Sequence, residues 1–174
     1  MSLKWNNHII KNLNAKVQDN SFGFKEHIRF NKNRFLAIYF IDSITGALLV
    51  SNKFSNGFSG EFGFSETDGD LISGFLNAIT LFIREIKKNE YEEIQEINFS
   101  DTRILYEKIG RLLCIGITKK TDLKIERDML QEIIQDFYDR FENEINHFNG
   151  FITPAIMNYK LRLNSLGNII EELK

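Results

Sequence analysis

Two segments of this chain, Phe35-Leu36-Ala37-Ile38-Tyr39-Phe40-Ile41 and Leu112-Leu113-Cys114-Ile115-Gly116-Ile117, have no charged or amide side chain at any position and are rich in β-branched and aromatic residues. A strand with one wet face alternates polar and apolar side chains, so a continuously apolar strand needs cover on both faces. The two segments therefore predict neighbouring central strands of a single sheet, with helices on both sides of it. A chain of 174 residues is long enough to build one such sheet and bury it.

The remaining elements follow from turn chemistry and period. Asp42-Ser43-Ile44-Thr45-Gly46 is a turn, and Ala47 to Ser51 is extended again, so the first strand opens a hairpin. Three further strands are expected at Ile94 to Phe99, Arg103 to Lys108 and Arg111 to Thr118. They are divided by Ser100-Asp101-Thr102 and Ile109-Gly110 and form an antiparallel meander. Between hairpin and meander, Asp68 or Asp70 caps a helix on which Leu71, Ile72, Phe75, Leu76, Ile79, Phe82, Ile83 and Ile86 recur at helical spacing. A second helix starts at Thr121 or Asp122, carries Leu130, Ile133, Ile134, Phe137, Phe141, Ile145 and Phe148 in one stripe, and stops at Asn149-Gly150. Pro154 suits the first turn of a third, with Ile156, Tyr159, Leu163, Leu166, Ile170 and Leu173 on one face. Near the N-terminus, Ile9, Ile10, Leu13 and Val17 could form a short amphipathic helix without a clear cap.

Charge and composition exclude several functions. A net charge of -2 supplies no field for nucleic acid. No stretch is long and apolar enough for a membrane span, and no signal-peptide core is present. One cysteine, Cys114, is cytosolic usage, which predicts a cytoplasmic protein. The tests for chemistry fail in turn. His8, His27 and His147 share no metal-ligand spacing with one another or with Cys114, and the neighbours of Cys114 place it in a central strand rather than beside a base. Gly57, Gly60 and Gly63 precede a helix, as in a phosphate cradle, but no Gly-Lys-Ser or Gly-Lys-Thr follows and Glu61, Glu66, Asp68 and Asp70 would repel an anion. Those acids lack the spacing of a calcium loop and suit helix capping better. No catalytic residue, cofactor or metal is expected, and the protein reads as a non-enzyme.

The same glycine-rich segment carries Phe54, Phe58, Phe62 and Phe64. Phenylalanines on such a loop are costly to leave in water and serve as anchors for a partner; the plainer reading folds them back over the outer hairpin strand or the following helix. They are the candidate partner-binding residues.

The order of hairpin, helix, three-stranded meander and closing helix pair resembles the longin domain, with the roadblock domain a near relation in shape. The segments Phe137-Tyr138-Asp139-Arg140-Phe141 and His147-Phe148-Asn149-Gly150, followed by the last helix, look like the longin closing pair, and the resemblance covers residues 34–174. It implies an α+β fold of the α/β type: a five-stranded, mainly antiparallel sheet with the first helix on one face and the two C-terminal helices on the other. Residues 1–33 then form an N-terminal extension to a longin-like domain at 34–174. The family resemblance further implies a scaffold or adaptor in trafficking or signalling complexes, a small Ras-like GTPase as the protein partner, and pairing as a homodimer. The alternative is a PAS-like sensor whose sheet and helices enclose a small ligand.

Overall fold

The computed structural model describes residue 22, residues 34–54, the helical residues 74, 75, 78, 79, 81, 82 and 85, and residues 94–168. Five strands form one sheet: β1 (Phe35–Asp42), β2 (Leu48–Lys53), β3 (Glu96–Asn98), β4 (Thr102–Ile109) and β5 (Leu112–Lys119). Their order across the sheet is β2-β1-β5-β4-β3, and every neighbouring pair is antiparallel. The two apolar strands, β1 and β5, lie side by side with Phe40 opposite Cys114 and Tyr39 opposite Ile115. Gly110, at φ 57°, lets β4 turn directly into β5 through a two-residue hairpin loop.

Helix α1 (Leu123–Asn146) begins at the expected cap, where the Asp122 carboxylate accepts a bond of 3.1 Å from the backbone N–H of Ile125. It ends three residues before Asn149, earlier than its apolar pattern suggests. The backbone of His147 (φ -106°, ψ 20°) leaves the helical path after a last N–H bond to the Asn143 carbonyl, and Phe148 packs against the core from the connecting loop. Gly150 keeps its left-handed backbone, at φ 97°, inside that loop. The helical path also breaks at Phe141 (φ -127°, ψ 22°), a kink that no nearby glycine or proline marks in the sequence. Helix α2 (Pro154–Asn168) opens on the proline as expected.

Both faces of the sheet are dry. On the first, α1 lies over β4 and β5 and α2 over β2, and they enclose Ile38, Phe40, Leu105, Leu112, Cys114, Leu130, Ile133, Phe137 and Leu163. Aromatic rings fill this layer. Phe40 stacks on Phe137 at 4.1 Å, and the Tyr159 ring meets Phe137 edge-on at 4.8 Å. Gly116 permits the close approach of β5 and α1, because a Cβ there would stand 2.7 Å from the Phe35 ring and 3.1 Å from Leu130. The second face buries Ala37, Tyr39, Ile41, Tyr106 and Ile115, with Ile97, Ile104 and Ile117 packed beside them. Alternation along the central strands β1 and β5 thus sends apolar residues both ways, as two-sided burial requires.

Candidate interaction surface

Gly74, Phe75, Ala78, Ile79, Leu81, Phe82 and Glu85 are helical, in agreement with the first helix expected from the sequence. Two rings assigned to its core-facing stripe are nevertheless in water: Phe75 is 58% and Phe82 63% exposed. At 100° per residue both lie to one side of the centre of that stripe, and Ile79, nearer the centre, is half-buried. Further round on the same side come Gly74, Ala78 and Leu81, the last 53% exposed. The result is a surface on which Gly74 and Ala78 lie between Leu81 on one side and Phe75 and Phe82 on the other, bounded one turn further on by the exposed Glu85. Its legible sign in the sequence was Leu81, an apolar residue on the far side of an already apolar helix.

Other exposed apolar side chains lie on other elements. Phe99 follows the three-residue edge strand β3, and Met157 and Leu161 stand one turn apart on the outside of α2. Edge strand β3 is short, and Glu96 is drawn by Asn98 (2.8 Å) and by Arg127 of α1 (3.0 Å), whose bonds hold its carboxyl below the usual carboxylate range despite the opposing effect of burial. A short, charged edge is a poor template for strand addition.

Of the candidate phenylalanines, Phe54 follows β2, donates its backbone N–H to the Leu36 carbonyl (3.0 Å) and is partly buried against the core. Phe58, Phe62 and Phe64 lie outside the described residues, as do His8, His27, the Ile9 to Val17 segment and the acids Glu61, Glu66, Asp68 and Asp70. Cys114 is fully buried on the first sheet face, and burial, with Glu107 nearby, pushes its thiol well above the usual range. A thiolate is disfavoured at such a position. His147 lies at the end of α1 with its Nδ1 2.9 Å from the Asn143 carbonyl. Among the described residues, no group of three or more His, Cys, Asp or Glu side chains could hold a metal, and no helix is long and apolar enough to cross a membrane.

Among the described residues, charged clusters at Asp42, Glu126 and Asp136 tie distant parts of the scaffold together, and none was evident from spacing. Asp42, at the end of β1, takes both arms of Arg111 (2.5 and 2.9 Å) and the backbone N–H and hydroxyl of Thr45. Glu126 is fully buried between Arg34 and Arg103. Asp136 of α1 takes two bonds from Arg162 of α2, each 2.8 Å, and one from the Tyr159 hydroxyl. Each links residues distant in sequence, so only the fold brings them together.

The sheet order and the helix pair that closes the chain make this a longin-like fold. No family model matches the chain, and no curated protein does. Among solved structures the chain is similar to Myxococcus xanthus MglB, with 18% identity and a TM-score of 0.44, over 63% of this chain and 85% of that one.

Proposed function

We propose that this protein is a non-catalytic cytoplasmic adaptor that binds a protein partner through the helix face of Phe75, Leu81 and Phe82. The observation that carries the reading is the exposure of those three large apolar side chains around Gly74 and Ala78 on one helix. Clustered apolar exposure costs free energy in an isolated protein, and covering it is a common basis of association. Small residues at the centre would let a second helix come close, so a second copy of this chain fits the face as a homodimer. The phenylalanines Phe54, Phe58, Phe62 and Phe64, just ahead of the same helix in the chain, are proposed as additional anchors. The longin resemblance supplies the class of further partner, a small Ras-like GTPase in a trafficking or signalling complex.

Light scattering of the purified chain and of the double variant Phe75→Ser, Phe82→Ser tests the surface. A dimer that becomes a monomer in the variant supports it. A strict monomer in both, together with no capture of Ras-like GTPases in either nucleotide state, would sink the reading. A triple Phe58→Ser, Phe62→Ser, Phe64→Ser variant separates the loop from the helix. Loss of GTPase capture with the dimer intact would assign the loop to that partner.

A further inference from the structure

Phe22 belongs to the N-terminal extension, yet it is only 8% exposed and is part of the core cluster beneath the two helices. Its ring lies under the Arg162 guanidinium, whose carbon stands 4.5 Å from the ring centre, and meets the Tyr159 ring edge-on at 6.4 Å. Both groups are set in place by bonds that do not involve Phe22. Asp136 holds the guanidinium through two contacts of 2.8 Å and the Tyr159 hydroxyl through a third, and Arg140 braces Asp136 from one turn away at 3.1 Å. The guanidinium is thereby anchored with its central carbon over the ring.

We propose that the corner formed by Asp136, Tyr159 and Arg162 is a preformed receptor for an aromatic side chain, filled in cis by Phe22 and separable from it. The chemistry selects the ligand. Arg162 is paired with Asp136 and stands over the Phe22 ring, so the corner offers a cation and an edge-type aromatic contact, which suit an uncharged ring. Eleven residues separate Phe22 from Arg34 at the threshold of β1, a tether that spans at most about 40 Å when extended. The occupant is the Phe22 side chain of this chain, the aromatic ring that the structure places under the Arg162 guanidinium. The inference stands independently of the adaptor reading and of the Phe75 face.

The test uses the full chain carrying Phe22→Ala and a fluorescent peptide of residues 16–28. The vacated corner is expected to bind the peptide at least tenfold more tightly than the native chain does, and a peptide with the same Phe22→Ala change is expected not to bind. Equal binding by both chains, or none by a folded Phe22→Ala chain, overturns the proposal. Should the variant not fold, the native chain with a protease site inserted between Phe30 and Asn33 decides the matter. After cleavage, the fragment ending at the cut should co-elute with a domain that still unfolds cooperatively, and excess peptide should displace it. A fragment that separates unaided, one that no excess of peptide displaces, or a domain that unfolds once cut, is the contrary result.

Discussion

Glu126 is a carboxylate with no exposure at all, and its environment accounts for its survival there. It accepts bonds from the Thr118 hydroxyl (3.1 Å), from the backbone N–H and hydroxyl of Thr121 (3.0 and 2.8 Å) and from the Asp122 N–H (2.9 Å). Arg103 stands 3.2 Å away and Arg34 3.9 Å, both largely buried. The single negative charge thus serves two guanidinium groups and the amino end of α1. Replacing it by its neutral isostere, Glu126→Gln, keeps the volume and strands the two cations. Removing one partner of a buried ion pair typically costs about 3–5 kcal/mol, so the urea midpoint of this variant should fall steeply. An unchanged midpoint would mean that Arg34 and Arg103 find water. Gly116 makes a second demand at this scale, because the Phe35 ring leaves no room for a methyl group. Gly116→Ala should cost about 1–3 kcal/mol through overpacking, read from the same unfolding curve.

Among the elements, those most legible in the sequence were the ones whose pattern and chemistry agreed. The runs at Phe35 and Leu112 became adjacent strands because only a two-sided core tolerates them. Asp122 and Pro154 marked helix starts through local backbone chemistry that needs no tertiary partner. Helix ends were less legible. The stripe from Leu130 to Phe148 continues past Asn146, where the backbone of His147 (φ -106°, ψ 20°) leaves the helical path. Periodicity also does not say which members of a stripe are wet: Phe75 and Phe82 share the spacing of buried residues and are exposed. The two kinds of ring can be told apart by substitution. Phe137 is fully buried against Phe40 and Tyr159, and Phe137→Ala should cost about 3–5 kcal/mol. Phe82→Ser should change the stability of the monomeric chain by no more than about 0.5 kcal/mol, as surface substitutions usually do. Denaturant titrations at low protein concentration, where association does not contribute, make the comparison. Equal losses would place Phe82 in the core.

For the molecule as a whole, the charged knots at Asp42 and Asp136 tie together parts that the sheet alone leaves separate. Asp42 joins the β1–β2 turn to the start of β5, where Arg111 also lies 5.8 Å from the centre of the Phe148 ring beyond α1. Asp136 joins the two helices. Burial raises the pKa of each carboxyl, but bonds from Arg111 and Thr45 at Asp42, and from Arg162, Tyr159 and Arg140 at Asp136, outweigh it and leave both below the usual carboxylate range. A carboxyl with a lower pKa folded than unfolded binds protons first in the unfolded chain. Its contribution is complete above the unfolded value of about 3.9 and is lost as the pH falls through the folded one. Stability should therefore hold nearly level from neutral pH down to about pH 5 and decline below that as the unfolded chain takes up protons. Urea unfolding at a series of pH values tests this, with the double variant Asp42→Asn, Asp136→Asn as control. The variant should start from a lower midpoint at neutral pH and show a shallower acid decline, because the groups responsible for the slope are gone. Parallel declines in the two chains would assign the acid sensitivity to other carboxylates and remove these knots as its source.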